Sequence, residues 1–216
     1  DVTITCTIDA NAIERDSLAE QNPSLVAYEV GDEITLAGET FNVISQTDDT
    51  VTMLAKYVIG QDGVQTNTAD FKDYRMWFMD DYYNDGEDIV DLDIAVDSQN
   101  YLYEGTKQYV EYLKRETGND SISGNVITMS ELQKLGCTWP EDNTWYQHDD
   151  SEHTCLNSEN ASWLVNGQIW WTRTYVTYSY GTNIWRMYED GELHDQDDHG
   201  RAGLRPVITI DKADLN

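Results

Sequence analysis

The N-terminal segment alternates apolar and polar residues from its first positions. VTITCTI alternates strictly and predicts a strand, with Cys6 on its apolar side as a buried thiol. Residues 11–21 are compatible with a helix, which must end before Pro23 because proline cannot continue a helix. We therefore predict an N-terminal strand and helical extension over residues 1–27.

From residue 28 the pattern changes to short strands separated by turns. EITLAGETFNVIS places Ala37 and Gly38 between two apolar runs, as in a hairpin, and TVTMLAKYVI follows after Asp48 and Asp49. This spacing predicts an antiparallel meander.

The middle of the chain has helical periodicity. Residues 69–83 carry aromatic side chains three and four positions apart, which predicts an amphipathic helix. Residues 104–117 predict a second helix, and residues 128–136 predict a short third one with a capping box between Thr128 and Glu131. The predicted inward residues are Phe71, Tyr74, Trp77, Phe78 and Tyr82 in the first helix and Tyr109, Val110, Tyr112 and Leu113 in the second.

The last quarter of the chain alternates apolar anchors with clusters of Tyr, Thr, Ser, Asn, Asp and His. We interpret the anchors as core. We interpret the clusters as a recognition surface, because Tyr gives a large contact at low entropic cost and Ser, Asn and Gly give adaptable hydrogen bonds. The anchors are Trp170, Trp171, Ile184, Trp185, Leu193, Leu204, Val207, Ile208 and Ile210.

The order of the elements is strands, then helices, then strands again. This order predicts a single α+β domain, with antiparallel strands flanked by two or three helices. No internal repeat or composition break calls for a second domain.

Charge narrows the choice of partners. Acids outnumber bases by 41 to 13, and the formal net charge is -28. Such a chain is repelled by nucleic acid and by anionic membranes, so partners should be neutral, basic or bridged by a divalent cation. A second interpretation is that the acidic surface only keeps an extracellular protein soluble.

The sequence also bears on location. No stretch approaches the roughly 20 apolar residues that span a bilayer. The chain opens on Asp1 with no Met, as we expect of a mature or truncated product whose targeting segment has been removed. We expect an extracellular or cell-surface protein, anchored by a segment absent from this chain.

Three cysteines leave an odd count. Cys137 and Cys155 bracket a polar insert, and a disulfide between them would place the protein outside the cytosol. The competing hypothesis adds His148 and His153 as zinc ligands, although this spacing fits no common zinc pattern.

Several motifs together resemble one bacterial family. YEVGDEITLAGETFNVIS, TVTMLAKY, ITMSELQKLGC, WWTR, IWRMYEDGEL and GLRPVITI are similar to extracellular C-type lectin-fold domains related to the formylglycine-generating (sulfatase-modifying) fold. Members often follow a pilin-like or lipid-anchored N-terminus. Some are variable proteins of diversity-generating retroelements, which display a hypervariable ligand-binding face. The resemblance covers about Tyr28 to Leu215.

The resemblance implies a C-type lectin-like ligand-binding domain over residues 28–216, with a variable face at about residues 172–201. Its ligand is implied to be a protein or glycan on another cell or host surface. The implied ligand-binding residues are Tyr175, Thr177, Tyr178, Ser179, Tyr180, Thr182, Asn183, Arg186, Tyr188, His194, Asp195, Gln196, Asp197, Asp198, His199 and Arg201. The implied structural residues are Trp170, Trp171, Trp185, Asp190, Gly191, Gly203, Arg205, Pro206, Val207 and Ile208.

Residue types at the implied face agree with retroelement mutagenesis. That process acts on adenines, so that Asn codons become Tyr, Ser, Asp, His, Thr, Ile or Gly codons. Ordinary polar loops draw on the same residue types, which keeps both explanations open.

Arg205 is expected to have a structural role. It lies between apolar residues in GLRPV, so we expect its guanidinium to pair with a buried acid or carbonyls rather than with ligand.

Known catalytic and calcium motifs are incomplete in this sequence. No lectin-type calcium triplet occurs, and the calcium-loop-like DYYNDG has Leu92 where a bidentate Glu is required. An irregular structural calcium site among the acids stays open. No Gly-x-Ser-x-Gly elbow occurs, and we expect His148, His153, His194 and His199 to be solvated loop residues.

These observations favour a surface-displayed ligand-binding protein, of adhesin or receptor type, over a catalyst. We assign no catalytic residue, metal ligand or cofactor. Two alternatives are kept: an oxidase or hydrolase on the same fold, and a structural pilin-like surface subunit.

Overall fold

The computed structural model describes residues 26–74, 89–91, 101–138, 153–156, 161–178, 181–197 and 200–215. For residues 89–91, 101, 176–178, 181–182 and 197 it describes the backbone alone. The predicted strand VTITCTI, the predicted helix over residues 11–21, and the motif DYYNDG lie outside the described residues.

Five strands form one antiparallel sheet, here called sheet I. The strands are β1 (Glu33–Leu36), β2 (Glu39–Gln46), β3 (Thr50–Ala55), β7 (Ser123–Val126) and β11 (Pro206–Asp211). Their order across the sheet is β1-β2-β3-β11-β7.

The first three strands form the predicted meander. Ala37 and Gly38 connect β1 to β2 with φ of 54° and 78°, the two positive values that a type I′ hairpin turn requires. Asp48 and Asp49 lie between β2 and β3. The last strand of the chain, β11, then inserts between β3 and β7.

A second antiparallel sheet, sheet II, contains the candidate site. Its strands are β6 (Ile89–Asp91), β8 (Trp170–Tyr178), β9 (Gly181–Met187) and β10 (Leu193–Asp197). Their order is β10-β9-β8-β6, so β10 is an edge strand. The short strands β4 (Val58–Ile59) and β5 (Gln65–Thr66) form a separate pair.

Two α-helices occur in the described residues. Helix α1 (Tyr101–Thr117) begins three residues before its predicted start and contacts β7 and β11. Helix α2 (Met129–Lys134) has the predicted capping box, in which Thr128 and Glu131 satisfy each other's backbone N–H groups.

The helix predicted over residues 69–83 is wrong in its described part. Residues 69–74 are not helical. Phe71 instead forms a β-bridge with Gly60, and Tyr74 forms one with Ala202. These pairings with distant segments take the backbone groups that a helix would have used.

Apolar side chains cover both sides of each sheet. One core cluster joins α1, sheet I and Trp171, whereas the other joins α2, the opposite side of sheet I and Trp170. The neighbouring tryptophans point in opposite directions because successive side chains alternate along a strand. Each of the nine predicted apolar anchors is buried.

The described architecture is α+β, with mostly antiparallel strands and two helices, as predicted. Among the helices described, none has the length and apolar character needed to cross a lipid bilayer.

Candidate functional site

The candidate residues lie on β8, β9 and β10 and on the connections between them. Tryptophans hold this part of sheet II to the rest of the protein. Trp171 donates its indole N–H to the Tyr74 carbonyl at 2.8 Å. The Thr172 hydroxyl donates to the Trp185 carbonyl, also at 2.8 Å. The backbone that presents the candidate residues is therefore fixed from within.

Strand register divides the candidate residues between the two sides of sheet II. Arg186 pairs directly with Trp171 and with His194, and directly paired residues project to the same side. Trp185 pairs with Asp195 and projects to the opposite side. The prediction that Arg186, His194 and Asp195 share one exposed face is therefore wrong.

Tyr175 is a second correction. It is 7 % exposed and belongs to the core cluster around Trp171. The pairing of β8 with β9 shifts between Trp171 and Tyr175, and Tyr175 pairs with the buried Ile184. The predicted surface residue is therefore part of the core.

Arg186 is a third correction, because it is 9 % exposed rather than displayed. Its guanidinium lies 4.5 Å from the Tyr188 ring centroid and 5.6 Å from that of Trp171. It donates to the Arg201 carbonyl at 3.1 Å, to Gln196 Oε1 at 2.9 Å and to the Tyr188 hydroxyl. The side chain organises its neighbours instead of reaching outward.

Around this arginine the β10 edge carries partly exposed polar groups. His194 Nε2 lies 3.0 Å from Glu192 Oε2. The His194 ring meets the Tyr188 ring edge-on, with centroids 4.8 Å apart. We call the set Arg186, Tyr188, Glu192, His194 and Gln196 the β10 rim.

A smaller polar pair lies on the other side of the same edge. Asn183 Nδ2 donates to Asp195 Oδ2 at 2.7 Å. Both residues are partly exposed. The β10 rim and the pair of Asn183 and Asp195 therefore lie on opposite sides of the β10 edge. Both can contact a ligand that binds at this edge.

The turn between β9 and β10 depends on Gly191. This residue has φ of 90°, and an added Cβ would lie 2.6 Å from Val165 Cγ2. Gly191 also accepts the Cys155 N–H at 3.0 Å through its carbonyl. Its predicted structural role follows from both conformation and packing.

A disulfide joins Cys137 to Cys155, with the Cα atoms 4.2 Å apart. This is the pairing that the sequence predicts. Thr154 forms β-bridges with Thr138 and with Glu192. The disulfide thus ties the end of α2 to the start of the β10 rim.

His153 does not match the expectation of a solvated loop histidine. It is 3 % exposed, and its ring centroid lies 5.6 Å from that of Trp185. His194 is only partly exposed and belongs to β10. Both histidines were expected to lie in loops because acidic and polar residues surround them in the sequence.

Arg205 has the predicted structural role. It is fully buried and donates to the carbonyls of Ala55 at 2.9 Å and Leu164 at 2.7 Å. Its guanidinium lies 4.8 Å from the Trp170 ring centroid. Burial lowers the pKa of Arg205 to about 9.

The other predicted site residues are placed as follows. Gly203 forms a bridge with Trp170, Pro206 begins β11, and Arg201 is exposed. Described by backbone alone are Thr177, Tyr178, Thr182 and Asp197. Outside the described residues are Ser179, Tyr180, Asp198 and His199, together with Cys6 and His148.

Within the described ranges, no group of three or more His, Cys, Asp or Glu residues is arranged to hold a metal ion. Most of the acids between Arg75 and Lys107 lie outside those ranges. The calcium hypothesis for that block therefore stays a prediction.

Sequence reasoning missed a cavity of about 330 Å³ between α1 and the loop after β4. Five of its lining residues come from α1 at helical intervals. They are Gly105, Gln108, Tyr109, Tyr112 and Arg115. This mixed polar and aromatic stripe was the available signal. Tyr109 belongs to the core and Tyr112 packs against it, as predicted, and both also line the cavity.

Comparison of this chain with protein-family models, with curated proteins and with solved structures returned no match.

Proposed function

We propose that this chain is a surface-displayed ligand-binding domain of the C-type lectin-like type, and a variable protein of a diversity-generating retroelement. Its binding surface is the β10 edge of sheet II together with the β8–β9 connection. The ligand is a protein or a glycan presented on another cell or host surface. This assignment rests on the resemblance of the motifs and on the geometry of the β10 edge.

The observation that carries the proposal is the contrast between the buried and the partly exposed side chains of sheet II. Trp170, Trp171 and Trp185 are fully or almost fully buried, whereas Asn183, His194 and Asp195 are partly exposed at a strand edge. Exposed positions on a rigid frame can change side chain without loss of fold, because surface substitutions away from special features cost little stability.

The β10 rim has the chemistry of a recognition surface. Tyr188 and His194 offer aromatic area, and Glu192 and Gln196 offer polar selection. Arg186 holds Tyr188 and Gln196 in place by hydrogen bonds, so that little of their side-chain entropy is lost when a ligand binds.

An extracellular location is part of the proposal. The disulfide between Cys137 and Cys155 supports it, because disulfides persist in oxidising compartments and are rare in the cytosol. The acidic surface agrees with solubility outside the cell.

The proposal is tested with a displayed library. Asn183, His194, Asp195 and Gln196 are randomised together, and folded clones are counted with a conformation-specific antibody and by protease resistance. A control library randomises Trp170, Trp171 and Trp185. The proposal expects most clones of the first library to fold and nearly all of the control to fail.

Selection then addresses binding itself. The first library is panned against hen lysozyme, a basic protein of opposite charge to this chain. Binders that depend on the randomised positions support the proposal. Loss of folding in the first library, or polymerisation of the wild-type chain without ligand in analytical ultracentrifugation, would favour a structural subunit.

A further inference from the structure

The cavity beside α1 is separate from the β10 rim, and the inference drawn from it does not depend on the proposed function. Its walls are the loop after β4, including Ile59 and Asp62, the segment with Lys72 and Tyr74, and one face of α1. Ligand-binding cavities commonly begin at about 300 Å³. Its volume of about 330 Å³ is therefore at the lower end of the range for small-molecule sites.

Two cations line this small cavity in a chain that carries only 13 Lys and Arg residues. Lys72 Nζ lies 5.0 Å from the Tyr74 ring centroid, and the Arg115 guanidinium lies 5.6 Å from that of Tyr112. In the part of the chain described, Lys72 has no carboxylate within ion-pair distance. An unpaired lysine in so acidic a chain provides a charge for an anion.

The negative charge on the cavity wall is limited. Asp62 lines it, and its Oδ1 accepts the Val64 N–H of its own loop at 3.3 Å. Arg115 keeps a contact with Glu116, at 3.0 Å and exposed to solvent. Because Glu116 already contacts Arg115, Lys72 is the main cation available to a ligand, and one lysine suits a monoanion better than a dianion.

Tyr74 provides a hydroxyl donor. The residue is 4 % exposed and lines the cavity, and its hydroxyl has no hydrogen bond to any described residue. Burial raises the pKa of Tyr74 to about 12, so the phenol is neutral at physiological pH. At the cavity wall this hydroxyl can donate a hydrogen bond to a ligand oxygen.

The space beside this hydroxyl depends on Gly105. A Cβ at that position would lie 2.6 Å from Tyr74 Cε1 and 2.8 Å from its hydroxyl oxygen. By contrast, the Tyr109 hydroxyl is fully used, because it donates to Glu39 and accepts from Gln65. Gln61 Nε2 already donates to the Phe71 carbonyl at 3.1 Å. The Tyr74 hydroxyl, Gln61 Oε1 and Gln108 are therefore the wall groups that offer hydrogen bonds to a ligand.

We propose that this cavity binds a small hydroxylated carboxylate of the sugar-acid class. The carboxylate faces Lys72 and Arg115, and ligand hydroxyls pair with Tyr74, Gln61 and Gln108. Tyrosine rings next to amide side chains suit a molecule that is apolar on its C–H faces and polar at its edge.

Isothermal titration at neutral pH and low salt tests the chemical class. The probes are D-glucuronate, D-galacturonate and D-gluconate, with D-glucose and inorganic phosphate as comparisons. At least one sugar acid should bind saturably below about 10 mM, with glucose about tenfold weaker because it lacks the charge-assisted contact. Equal binding of glucose, tighter binding of phosphate, or no saturable binding of any sugar acid would overturn the proposal.

Two variants locate the site on the protein. Lys72→Met should weaken the bound sugar acid about threefold to tenfold, whereas Lys107→Met, an exposed change on α1 away from the cavity wall, should not. Tyr74→Phe should weaken binding about tenfold without lowering thermal stability, because the hydroxyl has no described partner to lose. Unchanged affinity in both Lys72→Met and Tyr74→Phe would place the ligand elsewhere.

Discussion

The hydroxyl of Tyr109 donates to Glu39 Oε2 at 2.8 Å, which joins helix α1 to strand β2. The same carboxylate oxygen accepts the Gln65 N–H at 2.8 Å, and Gln65 Nε2 donates to the Tyr109 oxygen at 3.0 Å. Both Glu39 and Tyr109 are buried. A buried network in which each group has a partner stabilises one arrangement of its surroundings.

This network makes stability depend on pH in the alkaline range. Burial, with repulsion from the Glu39 carboxylate, raises the pKa of Tyr109 well above its ordinary value. In the unfolded chain the phenol ionises near pH 10. The unfolded state therefore loses a proton that the folded state keeps, and this contribution to stability decreases as pH rises beyond about 10.

Tyr109→Phe isolates this contribution. At about pH 8 the variant should be less stable by about 1–3 kcal/mol, because Glu39 loses a hydrogen-bond donor. The difference in stability should shrink toward about pH 11, because ionisation of Tyr109 stabilises the unfolded state of the wild type alone. Urea unfolding of both proteins across this pH range measures the difference in their unfolding free energies. Titration of Tyr74 and Arg205 contributes equally to both proteins and cancels in that difference. A difference that stays constant with pH would contradict the pKa assignment.

Arg205→Met should cost about 2–4 kcal/mol of unfolding free energy. The change removes hydrogen bonds to the Ala55 and Leu164 carbonyls and leaves both buried. Arg201→Met is the matched control, because its side chain is exposed and the change should cost less than about 0.5 kcal/mol. Equal losses for the two arginines in chemical denaturation would remove the structural role of Arg205.

Trp185→Ala should cost about 3–5 kcal/mol, as expected for a large side chain lost from a packed core. His194→Ala, one residue into the edge strand, should cost less than about 1 kcal/mol because His194 is partly exposed. Thermal melts of the two variants test whether β10 carries changeable positions on a fixed frame. A loss at His194 as large as that at Trp185 would count against this arrangement.

Replacing Cys137 and Cys155 together by Ala should lower the unfolding free energy by about 3 kcal/mol, because the 18-residue separation then adds freedom to the unfolded chain. Reduced wild-type protein should approach the stability of this double variant. The double variant itself should not respond to reductant, which serves as the control. No difference between oxidised and reduced wild type would show that the bond adds no stability.

Features encoded over a few neighbouring residues could be predicted from the sequence. The α2 cap needs only Thr128 and Glu131, one turn apart, and the first hairpin needs only Ala37 and Gly38. The role of Arg205 was also predictable, because a charged residue between apolar neighbours must find buried acceptors.

Features set by contacts between distant segments could not be predicted. Tyr175 is buried because it lies opposite Ile184 and joins the core cluster around Trp171, and its own sequence neighbours do not reveal these partners. Tyr74 lies in a bridge with Ala202 rather than in a helix, although its spacing from Phe71 is helical. The cavity beside α1 depends on a loop far away in the sequence, since Gly63 precedes Gly105 by 42 positions.

The same limit applies to the candidate site. The sequence identified the polar clusters and their tryptophan anchors, but strand register decides which side each residue occupies. Arg186 and His194 share one side, and Asp195 is on the other. Together they form an edge rather than the single face that the resemblance implied.

Sequencing of the locus is the sharpest test of the retroelement proposal. We expect a reverse-transcriptase gene beside a near-copy of the region encoding residues 170–210. Differences between the two copies should be confined to adenines and should alter codons such as those of His194 and Asp195, leaving the codons of Trp171 and Trp185 unchanged. A locus with neither a reverse transcriptase nor a near-copy, or a copy whose differences alter the buried tryptophans, would contradict it.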